Sequence, residues 1–435
     1  MAETSATTGT GEPASRPRKS SWKYIGPGIV VAATGVGAGD LVATLIAGSK
    51  FGYTLMWAAV IGCVVKISLA EAAGRWHLAT GRTLFDGWRS LGPWTTVYFA
   101  VYVVIWGFIY GATAMSSSAL PIVALFPDGP GLKFWAIVTG LIGLAFVWFN
   151  RYAVFEKVMT VLIGIMFVVV VYVAVRVVPD VGASFAGLLP VLPDGSLLYT
   201  LGLIGGVGGT ITMAAYGYWV NAKGWSNSSW MKVMRLDNRV AYITTGVFVV
   251  AMLIVGAELL HASQVALTSG DRGLIDLGKV LEDRFGTGTA KLFLVGFFAT
   301  SFSSLIGVWH GVSLMFADFV ERFRAPADPA VPEEQAGPAV TDRQQRSLPF
   351  RAYLLWLTFP PMTLLWLDEP FGLVIAYGVL GAFFMPFLAL TLLWLLNSPR
   401  VPEEWRNGRL SNAMLADVGL LFVVLCVQQV HDLLW

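Results

Sequence analysis

Asp40 is the residue whose chemistry most needs explaining. It closes the run GPGIVVAATGVGAGDL, in which Gly35, Gly37 and Gly39 cluster just ahead of it among apolar residues. If that run crosses a bilayer, its carboxylate sits near the midplane at a cost of about 3 kcal/mol on insertion scales. A carboxylate there pairs with a base, binds a cation or carries a proton. A second run, LGLIGGVGGTITMAAYGYW, sets Gly202, Gly205, Gly206, Gly208 and Gly209 before Thr210 and Thr212. Irregular backbone inside a membrane marks a protein-lined cavity, because lipid offers it no hydrogen bonds. Glycine-interrupted spans at matching positions of two halves point to a transporter's central site. Two plainer readings stand beside this one. Glycines also let helices pack closely, and Asp40 has an evident buried partner in Lys66 of the next apolar run.

The elements that would position these residues are membrane spans. Hydrophobic residues make up 56% of the 435-residue chain and charged residues 13%, against about 25% charged in soluble domains. That excess of apolar surface requires lipid as the surrounding medium. A net charge of +2 gives no reason to expect nucleic acid. Cys63 and Cys426 lie in apolar runs and imply neither a disulfide framework nor a metal cluster. Seventeen Trp residues suit aromatic belts at two interfaces. With about 20 apolar residues needed per crossing, the runs fall at 25–48, 54–74, 94–126, 132–150, 153–177, 197–220, 240–261, 289–320, 350–367, 370–397 and 411–432. Eleven spans with the N-terminus inside and the C-terminus outside put most Lys and Arg residues in cytoplasmic linkers, as the positive-inside rule requires. Lys50, Lys133, Arg176, Arg272, Lys279, Arg284 and Lys291 fall outside, and Lys66 falls within a span. The glycine runs are then in spans one and six. Five spans per half make the second half inverted relative to the first.

Residues 1–21 are Ser-, Thr-, Gly- and Pro-rich and read as a disordered cytoplasmic tail, without the apolar core of a signal peptide. Residues 22–397 form the transporter core, with repeats at about 22–178 and 197–397. Residues 398–435 supply a linker and the eleventh span. The Pro/Ala/Glu-rich stretch 321–349 reads as a flexible loop. DRGLIDLGKVLEDRF (271–285) puts Leu274, Leu277, Leu281 and Phe285 on one face of an amphipathic surface helix. Glu71 pairs with Arg75 at i+4. Glu258, His261, Glu156 and Asp318 sit near helix ends and read as interfacial. His310, beside Trp309 in span eight, is a packing histidine or a proton relay. No phosphate loop or metal-hydrolase motif is present, so the chain is not expected to be an enzyme and has no expected cofactor.

Several stretches resemble the Nramp family of divalent-metal transporters. They are GPGIVV, AGSKFGYTLMW, LATGRTL (78–84), DNRVAYITTGVF (237–248), FATSFSSLIGV (298–308) and Met385-Pro386-Phe387. The resemblance covers most of residues 22–397. It implies an all-α polytopic membrane protein of LeuT-type fold, with two inverted five-helix repeats and broken helices one and six. The departures fall on the functional motifs. Where the family reads Asp-Pro-Gly-Asn in span one, this chain has Gly37-Ala38-Gly39-Asp40, so a carboxylate is shifted three residues along the break. Where the family reads Met-Pro-His in span six, this chain has Thr212-Met213-Ala214, or Met213-Ala214-Ala215 with a one-residue slip. The family's span-three carboxylates map near Gly111 and Ala114, and its span-ten glutamine near Gly378.

What the resemblance implies is a secondary transporter or facilitator of a divalent cation in the inner membrane, working by alternating access. The metal, as substrate, would meet Asp40, carbonyls near Gly37 and Ala38, the Thr210/Thr212 region and, in the slipped register, Met213. Hydroxyl, carbonyl and carboxylate oxygens suit magnesium, calcium or manganese, whereas a thioether favours later transition metals. Loss of the span-three carboxylates weakens the expectation of proton symport. The expected surroundings are the lipid bilayer and the expected state a monomer. Two other functions stay open: a transporter of a small organic solute, with Tyr216, Tyr218 and Trp219 offering aromatic faces, and a non-transporting Nramp-like sensor.

Overall fold

A computed structural model describes residues 26–206, 208–261, 272–324, 338–367 and 370–434. The proposed tail at 1–21 lies outside the described residues. The chain is all-α, and each of the eleven apolar runs is helical. Span one consists of α1 (Pro27–Gly35) and α2 (Ala38–Phe51). Spans two to five are α3 (Met56–Thr80), α5 (Pro93–Leu125), α6 (Leu132–Phe149) and α7 (Tyr152–Arg176), with the short α4 (Leu84–Leu91) between the first two and α8 (Val181–Ala186) after the last. Span six is α9 (Leu197–Gly206) and α10 (Thr212–Ala222). Span seven is α11 (Met231–Gly256), extended by a π-turn at Ala257–His261. The helix read at 271–285 is α12 (Arg272–Phe285), and span eight is α13 (Thr287–Arg324). After α14 (Pro338–Gln345) come α15 (Leu348–Thr358), α16 (Pro370–Asn397) and α17 (Arg409–Leu434). Among the described residues seven helices, α3, α5, α6, α7, α11, α13 and α16, contain a stretch long and apolar enough to cross a membrane unbroken.

Two sequence expectations change. Span nine is not one α-helix: α15 ends at Thr358 and a 3₁₀ segment runs from Pro360 to Leu367. Pro360 and Pro361 have no N–H to continue the α ladder. The loop read at 321–349 is partly helical. α13 continues to Arg324, and α14 buries Thr341 and Gln345. Residues 325–337 lie outside the described residues.

α13 is central to the packing and touches spans one, three, four, five, six and nine. Its small residues let neighbours come close. A Cβ on Gly307 would stand 2.1 Å from Thr34 Oγ1 of α1, and one on Gly311 would stand 2.5 Å from the Trp219 ring of α10. Both broken helices therefore rest one half against α13.

Each break has a local cause. α1 starts on Pro27, whose fixed φ suits a first helical turn. It stops at Gly35, and Val36 follows in an extended conformation (φ −83°, ψ 90°). Three glycines within five residues make helix continuation unfavourable there. In span six, Gly208 (φ 77°) and Gly209 (φ 88°) take the left-handed conformation that side chains disfavour. The two breaks touch: a Cβ on Gly35 would lie 2.2 Å from the Gly208 carbonyl oxygen and 2.9 Å from Gly209 N.

This contact predicts a contrast between two glycines. Gly35→Ala collides with fixed backbone and should destabilise by about 1–3 kcal/mol. Gly202, where an added Cβ meets nothing within 4 Å, should tolerate Ala and gain up to about 1 kcal/mol of helix propensity. Thermal melting of the purified variants in detergent checks both; equal melting temperatures would remove the contact from its proposed role.

Candidate substrate site at the helix breaks

The chain atoms left over by the two breaks determine what the site can offer. The last carbonyls of α1 lie in the membrane's interior without a next turn to receive. Two hydroxyls of α13 face them: Ser303 Oγ shares its one proton between Thr300 O at 2.9 Å and Ala33 O at 3.3 Å, and Ser304 Oγ donates to Thr34 O at 2.9 Å. Tyr110 of α5 steadies that serine, donating to Ser304 O at 3.1 Å with its oxygen also 3.1 Å from Ser304 Oγ. Ser304 Oγ stands 2.7 Å from where a Cβ on Gly37 would be. A side chain at Gly37 is thus excluded by the group that caps α1.

Three threonines flank the breaks. Thr34, Thr210 and Thr212 are 2%, 5% and 2% exposed. Their Oγ1 atoms are buried and find no hydrogen-bond partner. Thr212 Oγ1 lies 2.3 Å, and Gly35 Cα 2.9 Å, from the position of a Cβ on Gly209. Thr34 belongs to the last turn of α1, and Thr210 to the span-six break. Thr34 Oγ1 faces Gly307 of α13, and Thr210 packs against Gly381 of α16; buried hydroxyls are normally satisfied, and others, Ser117, Ser196 and Ser313 among them, also lack a partner.

The sequence candidates are distributed as follows. Gly37 lies in the span-one break, Thr210 in the span-six break and Thr212 at the first turn of α10. Ala38 and Asp40 are in the first turn of α2, and their side chains lie outside the described residues. Met213 is fully buried within α10. Lys66 is fully buried and donates through Nζ to Gly209 O, with Met385 Sδ of α16 at 3.8 Å. Among the described residues no three His, Cys, Asp or Glu side chains come together as a metal cluster. Thr34, Ser303, Ser304 and Tyr110 were not singled out from the sequence. The hydroxyl-rich stretch FATSFSSLIGV was the available signal.

Toward the face where α1 begins, polar side chains tie the broken helices to their neighbours. Asp237 of α11 accepts from Gly26 N at 2.9 Å and Gly28 N at 2.6 Å, capping α1, and from the Tyr216 hydroxyl of α10 at 2.9 Å. Tyr218 donates to Asp318 Oδ2 at 2.6 Å, and Arg322 bridges Asp318 (3.1 Å) and Asp86 (3.0 Å). Burial pushes the Asp86 carboxyl up from its ordinary value, and Arg322 beside it pulls it part of the way back. Asp318, read from sequence as interfacial, is 1% exposed; its charge is tolerated because Tyr218 and Arg322 both donate to it. Glu156 pairs with Lys223. Glu71 accepts from Arg75 at 3.1 Å, the i+4 pair expected, and from Arg235 at 2.9 Å. On the opposite face the Tyr53 hydroxyl donates to Glu258 at 2.6 Å, and His261 Nδ1 meets Ser49 O at 2.8 Å.

His310 has a packing role. Trp219 Nε1 donates to its Nδ1 at 3.1 Å, the Gln345 amide contacts Nε2, and the ring stacks on Phe155 at 4.2 Å. An indole N–H only donates, so Nδ1 is held as an acceptor. The positions onto which the family's span-three carboxylates map leave no space for them at one point: a Cβ on Gly111 would be 2.2 Å from Leu357 O. At Gly378 nothing lies within 4 Å of an added Cβ.

These features define a polytopic α-helical protein of the LeuT fold, with paired breaks in its first and sixth spans. The profile of the Natural resistance-associated macrophage protein-like family, Nramp, matches residues 28–432, and the chain belongs to that family. It is 27% identical over 264 residues to the divalent metal cation transporter MntH of Chromohalobacter salexigens, covering 57% of this chain and 60% of that protein. It is 26% identical over 327 residues to MntH of Mycobacterium leprae, covering 68% of this chain and 71% of that one. The crystal structure of a mutant manganese transporter from Eremococcus coleocola superposes with a TM-score of 0.76 at 17% identity, over 95% of this chain and 88% of that one.

The Asp237 contacts give a test of the architecture around the breaks. Asp237→Ala leaves the N–H groups of Gly26 and Gly28 without an acceptor, at about 1–3 kcal/mol for each buried donor. The variant should melt well below the parent, and Asp237→Asn, which keeps one acceptor oxygen, should fall between them. Identical melting of all three would show that the cap carries no stability.

Proposed function

We propose that this protein is a secondary transporter or facilitator of a hard divalent cation, magnesium or manganese in type. The observation that carries the reading is the meeting of the two helix breaks at Gly35 and Gly208, with the buried, unbonded hydroxyls of Thr210 and Thr212 in and beside the span-six break and of Thr34 in the last turn of α1. Oxygen donors of this kind, with the Asp40 carboxylate and carbonyls near Gly37 and Ala38, make a hard ligand set. Met213, next to Thr212 in α10, would join the set in the register with a one-residue slip. The family and the names of its relatives support a metal substrate. The thioether of the family's metal site has its position taken by Thr212 in the ungapped register, which favours oxygen-seeking ions.

Alternating access on this frame is a rocking of spans one, two, six and seven against spans three, four, eight and nine. The face bearing Asp237, Asp318, Arg322, Glu71 and Arg235 is assigned to the cytoplasm, following the bias of basic residues. On that side Tyr218–Asp318 joins a rocking helix to the α13 support, so this contact breaks as that side opens. No phosphate-binding motif supplies ATP, and the driving force is the ion gradient or membrane potential.

Uptake into proteoliposomes tests this. Asp40→Asn should abolish divalent-cation uptake while leaving the melting temperature near that of the parent. Thr212→Met should shift competition from magnesium toward cadmium by about tenfold, or 1.4 kcal/mol. A parent protein that moves none of magnesium, manganese, calcium or cobalt, at any imposed pH gradient or voltage, overturns the proposal.

A further inference from the structure

On the face assigned to the cytoplasm, the ends of α6 and α15 carry basic side chains that the substrate site does not use. α6 stops at Phe149, and the chain runs extended through Asn150 and Arg151 before α7 begins at Tyr152. That short turn leaves Arg151 exposed. On the neighbouring span, Ser347 caps α15 by accepting from Phe350 N at 3.4 Å. Arg346 stands exposed just before the cap. Arg351 lies one turn further on, its backbone N–H donating to Ser347 O at 3.2 Å. The two ends meet where the Arg351 guanidinium lies 4.9 Å from the centre of the Trp148 ring.

Arg351 is the member whose chemistry is incomplete. It is half-buried, and its Nε is buried without an acceptor. A guanidinium only donates, and a charge drawn out of water needs a counter-charge. The protein supplies none: among the described residues no ion pair includes Arg151, Arg346 or Arg351. Glu156, in the next turn of α7, is held by Lys223. Stacking on Trp148 fixes the plane of the guanidinium but brings no acceptor for its N–H groups. The side chains beside these cations are apolar and uncovered, Phe149 being 80% and Leu348 79% exposed. Three positive charges next to bare apolar surface at the end of two spans match an amphiphile, with an anionic head and a hydrocarbon body.

We propose that this junction binds the phosphate of an anionic phospholipid of the adjoining leaflet. The Arg351 guanidinium receives the phosphate oxygens, as such groups do through two parallel N–H donors. Arg151 and Arg346 add charge from the two flanking turns, and Phe149 and Leu348 lie against the acyl chains. Basic pockets between spans on the cytoplasmic side take headgroups of this kind. The inference is independent of what the protein transports.

Lipid titration of the full-length protein in detergent tests it. Dioleoyl phosphatidylglycerol, cardiolipin, dioleoyl phosphatidylcholine and inorganic phosphate are added separately, and melting temperature and lipid adducts in native mass spectrometry are recorded. At least one of the two anionic lipids should raise the parent's melting temperature by several degrees, saturably, as a bound ligand does. Phosphatidylcholine and inorganic phosphate should not. Arg351→Gln should weaken half-saturation by about tenfold. Arg351→Lys, which keeps the charge but loses the planar fork, should weaken it as well. Arg409→Gln removes an exposed charge assigned to the same face, at the start of α17, and should respond as the parent does. The proposal is overturned by a parent indifferent to both anionic lipids. It is overturned by equal responses of R351Q and R409Q, which is diffuse attraction to the leaflet, and by inorganic phosphate acting as strongly as lipid, which makes the ligand a free anion. If R351Q does not fold, Trp148→Leu, which removes only the stacking face, decides the matter: weakened lipid response supports the site and a parental response overturns it.

Discussion

A peptide group inside hydrocarbon has to find its partner within the protein, and this constraint organises the molecule around residues 33–37 and 208–212. Two helices stop partway across, and each stop frees carbonyls and amides that lipid cannot satisfy. The breaks meet each other at Gly35 and Gly208, and α13 supplies Ser303 and Ser304 to the carbonyls of α1. That service requires α13 to lie close against α1, where Gly307 leaves room for Thr34, while Gly311 leaves room for Trp219 of α10. The polar interior is thus a product of small residues on three helices. Among the buried hydroxyls left without a partner are Thr34 at the end of α1 and Thr210 and Thr212 at the span-six break.

The eleven apolar runs were legible because bilayer thickness imposes a length on every crossing and because the basic residues mark one side. The two interruptions were legible because glycine clusters oppose helix propagation. What was not legible is mostly contact over long separation. Ser303 and Ala33 are 270 residues apart, and no local spacing links Asp237 to the amides of Gly26 and Gly28. Asp318 looked like a helix-end carboxylate because nothing near it in sequence announces the Tyr218 hydroxyl. The helix at Pro338–Gln345 was hidden by a composition that reads as flexible. It forms because Thr341 and Gln345 are covered by the surrounding helices. The Pro360–Pro361 pair was visible but outweighed by the apolar character of the run; its effect is to end α15 at Thr358, with a 3₁₀ segment after it.

Membership of the Nramp family and departure from its metal motifs are compatible once fold and ligand set are treated separately. The broken-helix frame depends on glycines, small hydroxyls and close packing, and these are retained. On the proposed reading the ligands project from the frame, and exchanging a thioether for a hydroxyl would alter which ions are preferred without disturbing the helices. The buried packing at Gly111 makes the same point. The helix there lies against a carbonyl of α15, so a carboxylate could not be restored at that position without parting two spans.

Asp237 has a mechanical consequence. One carboxylate from α11 grips the start of α1 and the middle of α10 at once, so three chain segments far apart in sequence share a single rivet. A lever built this way cannot bend at its near end while its far end stays put. Any displacement of the sixth span at that end would be passed to the first through the shared carboxylate, as through one hinge and not through separate shutters.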